Sequence, residues 1–149
     1  MKDLIILGST GSIGVSTLNI IRKDKKNFKV KLLTTNNNIN KIYKQAIEFN
    51  VKEIVIFNKQ KYLQFNKKFK KKKIKVFFSI NEVFKKKKNK VFLTINAISG
   101  IDGLEPTLNI IKYSKNIAIA NKESIICGWK FITKELKKNK SNFIPLDSE

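Results

Sequence analysis

A chain of 149 residues with no histidine lacks the group behind most acid–base, nucleophile and zinc chemistry, so a site here must work with Asp, Glu, Lys, Ser, water or a cofactor. Its one cysteine, Cys127, excludes an internal disulfide and fits a reducing compartment. The formal charge of +21 asks for an anionic partner or a composition bias, while no apolar stretch approaches a membrane span and Asp3 argues against a secretory leader.

Leu4-Ile5-Ile6-Leu7 predicts a strand that runs into Gly8-Ser9-Thr10-Gly11-Ser12-Ile13-Gly14. Ile13, Leu18, Ile20 and Ile21 then predict a helix. Strand, glycine turn and helix in that order form the layout that holds a dinucleotide pyrophosphate. Gly8 allows the sharp turn, Gly11 lets backbone approach a phosphate, and Gly14 lets the helix pack close to the strand. The helix start offers free N–H groups and the positive end of a dipole. The spacing is Gly-x-x-Gly-x-x-Gly, and by itself such a turn also occurs with no ligand. No Gly-x-x-x-x-Gly-Lys-Ser/Thr occurs in the chain, which excludes a Walker-type phosphate loop.

Lys29 to Leu33 predicts the second strand, ending at Thr34-Thr35-Asn36-Asn37-Asn38. In a dinucleotide fold this is where the adenosine ribose lies, and an acid there would favour NAD. Asn36, Asn37 and Asn38 donate hydrogen bonds without repelling a phosphate, so NADP is expected over NAD. The plainer reading is an Asn-rich turn. A helix is expected over Ile39 to Phe49, with Ile42, Ala46, Ile47 and Phe49 apolar. Glu53 to Phe57 follows as a buried strand. Lys59 to Lys72 has helical spacing, with Tyr62, Leu63, Phe65 and Phe69 inward. Ile74 to Phe78 predicts a strand, Ile80 to Lys87 a short helix, and Val91 to Ile95 the next strand.

That strand ends in Asn96-Ala97-Ile98-Ser99-Gly100-Ile101-Asp102-Gly103-Leu104, with Pro106 near a helix start. Leu104, Leu108, Ile110 and Ile111 read as core. Asn116 to Ala120 predicts a sixth strand running into Asn121-Lys122-Glu123-Ser124 and a helix to about Lys138. Asn121 as a helix cap and Glu123 in the first turn have ordinary structural readings. Lys122, a cation at the wrong end of a helix, does not. Asn142 to Leu146 leads to Asp147-Ser148-Glu149. Strands alternating with helices predict an α/β, doubly wound, mainly parallel sheet with helices on both faces.

The blocks Gly8 to Gly14, Asn96 to Gly100 with Gly103-Leu104 and Pro106-Thr107, Ala120 to Ser124, and Leu146 to Glu149 together resemble the 1-deoxy-D-xylulose 5-phosphate reductoisomerase family. The resemblance covers essentially the whole chain, although family members are longer. It implies a Rossmann-like, NADPH-binding amino-terminal portion over residues 1–149, ending where the metal and catalytic region begins. The family converts 1-deoxy-D-xylulose 5-phosphate to 2-C-methyl-D-erythritol 4-phosphate in non-mevalonate isoprenoid synthesis, with NADPH and Mg²⁺ or Mn²⁺.

Residue by residue, the resemblance implies that Gly8, Thr10, Gly11, Ser12 and Ile13 meet the cofactor phosphates. It places Asn36, Asn37 and Asn38 at the adenosine end. Asn121 and Glu123 would touch NADPH. Lys122 would contact substrate, Lys122 and Glu149 would be catalytic, Asp147 and Glu149 would bind the metal, and Ser148 and Glu149 would bind substrate. It further implies a phosphorylated sugar as substrate, a homodimer in the complete protein, a cytoplasmic location and no membrane partner. A portion of this length is expected to bind nucleotide at best.

Two other readings compete. A different NADP-dependent Rossmann dehydrogenase, of the aspartate-semialdehyde type, would need a nucleophilic cysteine with a histidine partner. Cys127 falls in a helix, is expected in the core, and has no histidine to serve it. A nucleic-acid binder would use the lysines, but Lys70 to Lys73 and Lys85 to Lys88 fall at expected helix ends and loops. Heavy use of Lys, Asn, Ile and Phe accords with A/T-rich codons, so the charge is read as composition bias rather than as a nucleic-acid footprint.

Overall fold

A computed structural model describes residues 1–85, 87 and 89–146. Seven strands alternate with helices: β1 (Lys2–Leu7), α1 (Ser12–Lys23), β2 (Phe28–Thr35), α2 (Ile39–Glu48), β3 (Glu53–Ile56), α3 (Lys59–Lys70) and β4 (Lys75–Phe77) form the first half. The second half is α4 (Ile80–Phe84), β5 (Val91–Asn96), α5 (Leu104–Ile111), β6 (Ser114–Ile119), α6 (Lys122–Asn139) and β7 (Asn142–Pro145), with a 3₁₀ turn at Ile101–Gly103 before α5. All strand pairs are parallel, in the order β4-β3-β2-β1-β5-β6-β7. The chain winds outward from β1 to β4, then returns to the other side of β1. The place where winding reverses, between β1 and β5, is where ligands sit in such sheets.

The period-2 alternation of strand side chains divides the core between two faces. Leu4 and Ile6 pack with Leu18, Ile21, Ile42, Ala46 and Phe69 under α1, α2 and α3. Ile5 and Leu7 pack with Val83, Phe84, Ile110, Ile111, Ile132 and Leu136 under α4, α5 and α6. Each such fully buried Leu or Ile contributes roughly 1.5–3 kcal/mol from burial. On the first face the Arg22 guanidinium forks onto the Glu48 carboxylate, tying the end of α1 to the end of α2. That hydrogen-bonded partner holds Glu48 below the usual carboxylate range.

Several expectations are corrected. Cys127 is exposed, not core. The buried side of α6 runs through Ser124, Gly128, Ile132 and Leu136, and position 127 lies about 120° around the helix from that stripe. Leu63 is 65% exposed because the inward stripe of α3 is Tyr62, Phe65 and Phe69. The second strand continues to Thr35, and α4 stops at Phe84 rather than Lys87. No helix among the described residues is long and apolar enough to cross a membrane.

Helix starts differ in how their free N–H groups are met. Asn38, Asn58, Ser79 and Asn121 each accept from the backbone N–H three residues on, capping α2, α3, α4 and α6. The start of α1 has Gly11 at the cap position, no side-chain acceptor and no acid in its first turn. Its amides are left for something else to satisfy.

Candidate dinucleotide site

β1 delivers the chain to the carboxyl edge of the sheet at Gly8, which turns with φ of 73°. A side chain there would be strained, and its Cβ would lie 3.0 Å from the Ala97 carbonyl group. At Gly14 a Cβ would stand 2.4 Å from the Gly8 carbonyl oxygen and 2.6 Å from Ser9 Cα. Helix α1 therefore presses onto the loop more closely than any other residue allows. Gly11 differs: a Cβ there meets nothing nearer than Gly8 O at 3.5 Å. That position opens outward, toward the space a ligand would fill.

The loop is held from below by residues that sequence reasoning did not single out. Gly8 N–H donates to Thr34 Oγ1 at 2.8 Å, and Ser9 N–H to the Thr34 carbonyl at 3.0 Å. Ser9 is fully buried; its hydroxyl donates to Gln45 Oε1 at 2.8 Å, and Gln45 Nε2 donates back to the Ser9 carbonyl at 2.8 Å. The Thr10 and Thr35 hydroxyls share a hydrogen bond of 2.8 Å. The signal was a polar residue on the inward side of α2, beside Ile42 and Ala46, with two threonines closing an otherwise apolar strand.

Replacing Gln45 by leucine would leave the buried Ser9 hydroxyl and carbonyl without that partner. The expected cost is about 1–3 kcal/mol in urea unfolding, together with weaker nucleotide binding. Unchanged stability would mean that the loop does not depend on this lock.

A cleft of about 170 Å³ opens over the switch point, walled by the Gly8–Gly11 loop, Thr34 to Asn36, Phe57 and Ala97 to Ser99. Past Phe57 and Ile98 lies a second hollow of about 320 Å³, which reaches Ser79, Asp102, Glu105 and Pro106. Together they give an elongated groove across the carboxyl ends of β1, β2, β3 and β5. A larger hollow, about 430 Å³ between Asp3, Lys31, Phe84 and Lys90, lies at the opposite end of the sheet and touches none of these residues.

At the β2 end, Asn36, Asn37 and Asn38 are exposed. Asn38 Oδ1 caps α2 by accepting from Lys41 N–H, and Asn37 Oδ1 accepts from Asn58 Nδ2 at 2.9 Å. The turn thus does ordinary structural work with its side-chain oxygens, and no hydrogen bond from the NH₂ group of either residue is found among those described.

At the β5 end, Asn96 is buried. It donates to the Gly103 carbonyl at 2.9 Å and to Thr107 Oγ1 at 2.6 Å, and accepts from Ile98 N–H at 3.0 Å. These bonds fix the Ala97–Gly103 loop against the groove. Asn121 ties that loop to α6: its oxygen accepts from Ser124 N–H at 2.8 Å and its nitrogen donates to the Ile98 carbonyl at 2.6 Å. Each end of this buried side chain thus has one partner within the protein, which fixes its position beside the groove. Lys122 and Glu123 follow it on the first turn of α6, exposed.

Asp147, Ser148 and Glu149 lie outside the described residues. β7 runs parallel to β6, with Pro145 paired to Ile119, and brings the chain at Leu146 to the same edge of the sheet as Asn121. Among the described residues no group of three or more His, Cys, Asp or Glu could hold a metal.

An all-parallel sheet that reverses its winding beside a glycine turn, with an uncapped helix start facing the groove, defines the Rossmann-type, doubly wound class. The family model for 1-deoxy-D-xylulose 5-phosphate reductoisomerase matches residues 4–128. The chain belongs to that family. It is 53% identical over 151 residues to the 1-deoxy-D-xylulose 5-phosphate reductoisomerase of Pelagibacter ubique, a match covering all of this chain and 39% of that relative. It superposes on the Zymomonas mobilis reductoisomerase in complex with NADPH with a TM-score of 0.86, at 28% identity over 99% of this chain and 39% of that one. A further reductoisomerase structure, in complex with NADPH, fosmidomycin and magnesium, gives a TM-score of 0.88 at 30% identity, covering 99% of this chain and 37% of that one. The chain therefore spans about two fifths of the length of the relatives it matches.

Proposed function

We propose that this chain is the NADPH-binding portion of an enzyme that converts 1-deoxy-D-xylulose 5-phosphate to 2-C-methyl-D-erythritol 4-phosphate in non-mevalonate isoprenoid synthesis. The observation that carries the reading is the uncapped start of α1 behind the Gly8–Gly11 turn, at the switch point of the sheet. The residues present fit a dinucleotide: backbone pressed close at Gly14, open space at Gly11, and helix amides with no acceptor from a side chain.

In this reading Gly8, Thr10, Gly11, Ser12 and Ile13 receive the pyrophosphate, and Asn36, Asn37 and Asn38 receive the adenosine end. Asn121 and Glu123 contact the cofactor beyond the groove. Lys122 holds substrate and sets positive charge beside the oxygen that gains charge during rearrangement. Asp147 and Glu149 supply two hard oxygen ligands to Mg²⁺ or Mn²⁺, and Ser148 and Glu149 contact the substrate. When bound, the cofactor supplies hydride to the rearranged aldehyde and the metal polarises the substrate oxygens. The protein's part is placement and exclusion of water along the groove. The reading includes a complete enzyme that is a cytoplasmic homodimer; a single cysteine suits a reducing compartment.

The direct experiment is titration of the chain with NADPH and NADH, followed by nucleotide fluorescence. Saturable NADPH binding with weaker NADH binding and no turnover is expected. Binding of neither nucleotide would overturn the reading. In full-length protein carrying this portion, Glu149→Gln is expected to lose metal-dependent turnover while NADPH affinity persists. Parallel loss of both would remove Glu149 from the metal site.

A further inference from the structure

The β2–α2 turn presents three asparagines and no cation, yet selection of NADPH over NADH needs a partner for a phosphate that carries up to two charges. Beside that turn, a cleft of about 370 Å³ opens between the start of α2 and the first turns of α3. Its walls are Asn37, Asn38, Ile39, Asn40, Lys61 and Phe65, and no carboxylate lines it. It adjoins the main groove along the turn, where Asn36 gives way to Asn37.

Lys61 is fixed to the turn through one residue. Asn58 accepts from Lys61 N–H at 3.0 Å with its oxygen and donates to Asn37 Oδ1 at 2.9 Å with its nitrogen. The ammonium lies 5.8 Å from the centroid of the Phe65 ring, which forms another wall of the cleft. No ion pair to Lys61 is found among the described residues. Lys68, two turns further along the helix, is already engaged: it donates to Asn40 Oδ1, on the rim of the cleft, at 3.3 Å and sits 5.0 Å from the Tyr43 ring. The first turn of α2 carries no acid, so its dipole adds to the positive side of the balance.

We propose that Lys61, reaching from α3, is the specificity-determining residue that recognises the 2′-phosphate of NADPH in place of a cation on the β2–α2 turn. This rests on the nucleotide-binding reading above. The asparagine NH₂ groups position the phosphate, and Lys61 neutralises it.

The test is titration of the chain and its Lys61→Gln and Lys59→Gln variants with NADPH and NADH. Lys59 is exposed, does not line the cleft, and its loss makes the same change in net charge. Lys61→Gln is expected to weaken NADPH binding by about 10-fold or more and to leave NADH within about twofold. Lys59→Gln is expected to leave both within about twofold. Lys61→Arg should restore most of the preference. Equal NADPH losses in Lys61→Gln and Lys59→Gln would overturn the proposal in favour of bulk charge. So would equal affinity of the unaltered chain for NADPH and NADH, with nucleotide binding itself intact. If the unaltered chain binds neither nucleotide, the binding reading fails and the role of Lys61 fails with it.

Discussion

Gly11→Asp is expected to abolish useful nucleotide affinity while leaving the fold as stable as before. The backbone at Gly11 has φ of −75°, which any residue adopts, and its Cβ would make only ordinary contacts, with the Gly8 carbonyl oxygen at 3.5 Å and the Ala97 carbonyl oxygen at 3.8 Å. Position 11 is also the cap of α1, where aspartate is a favoured residue. Unfolding stability should therefore change by no more than about 0.5 kcal/mol, and in the stabilising direction. The same carboxylate, however, occupies the open space before the α1 amides. It satisfies those amides itself and faces any phosphate brought there. Two like charges about 4 Å apart at a partly exposed site repel by roughly 4 kcal/mol. Discounted for screening, about 3 kcal/mol remains, a loss of more than roughly 100-fold in Kd for NADPH.

Gly11→Asn is the companion variant, with the same shape and cap but no charge. Its loss should be much smaller, and the gap between the two should narrow as salt is added. Full affinity in Gly11→Asp would mean that no phosphate approaches this helix. Equal losses in the two variants would mean that crowding, rather than charge, governs the site.

These variants bear on how much of the molecule can be read before folding. The strands were legible because burial on both faces demands near-continuous apolar runs: Leu4 to Leu7 are all 2% exposed or less. The glycine turn was legible because backbone approach depends on the residue itself and not on its neighbours. What holds that turn was not legible in the same way. Gln45 is 36 residues from Ser9 in sequence and meets it only once β2 and α2 have packed. A lone glutamine in an amphipathic helix carries no mark of that duty. Lys61 is one lysine among many, and it is set apart from Lys59 only by folded contacts: the cleft it lines, the Phe65 ring beside it and the Asn58 bridge to Asn37.

Phase explains the errors as well. Cys127 and Leu63 are sulfur-bearing or apolar residues in real helices, yet each lies off the inward stripe. Assigning them to the core required knowing which side of the helix the sheet would take. Asn121 shows two readings meeting at one residue: its amide oxygen caps α6 through Ser124 N–H, while its nitrogen holds the Ile98 carbonyl of the loop that walls the groove.

Gly14→Ala is expected to do the reverse of Gly11→Asp, costing stability first. Ordinarily a helical Gly→Ala change gains about 1 kcal/mol from lower unfolded-state freedom and better propensity. Here the new methyl group would stand 2.4 Å from Gly8 O, 2.6 Å from Ser9 Cα and 2.7 Å from Ser9 C. All three are backbone atoms, and the loop that carries them is clamped by Thr34 and Gln45. No rotamer change relieves the clash, so α1 must move by about 1 Å to restore normal contact.

That movement either opens the packing of Leu18 and Ile21 against the sheet or breaks the buried bonds of Ser9. Overpacking of this kind costs about 1–3 kcal/mol and sometimes more. With the propensity gain set against it, a net loss of about 1–2 kcal/mol should appear as a fall in Tm of roughly 2–8 °C. Nucleotide affinity should fall as well, because the same shift carries the α1 amides away from the groove. Adding saturating NADPH should then recover less stability than it does in the unaltered chain. An unchanged Tm would show that the helix and loop have slack at Gly14, and the close approach that positions the amides would have to be abandoned. Taken with Gly11→Asp, the outcome separates what the glycines do for the fold from what they do for the ligand: one variant should keep its stability and lose its ligand, the other should lose stability and bind less for that reason.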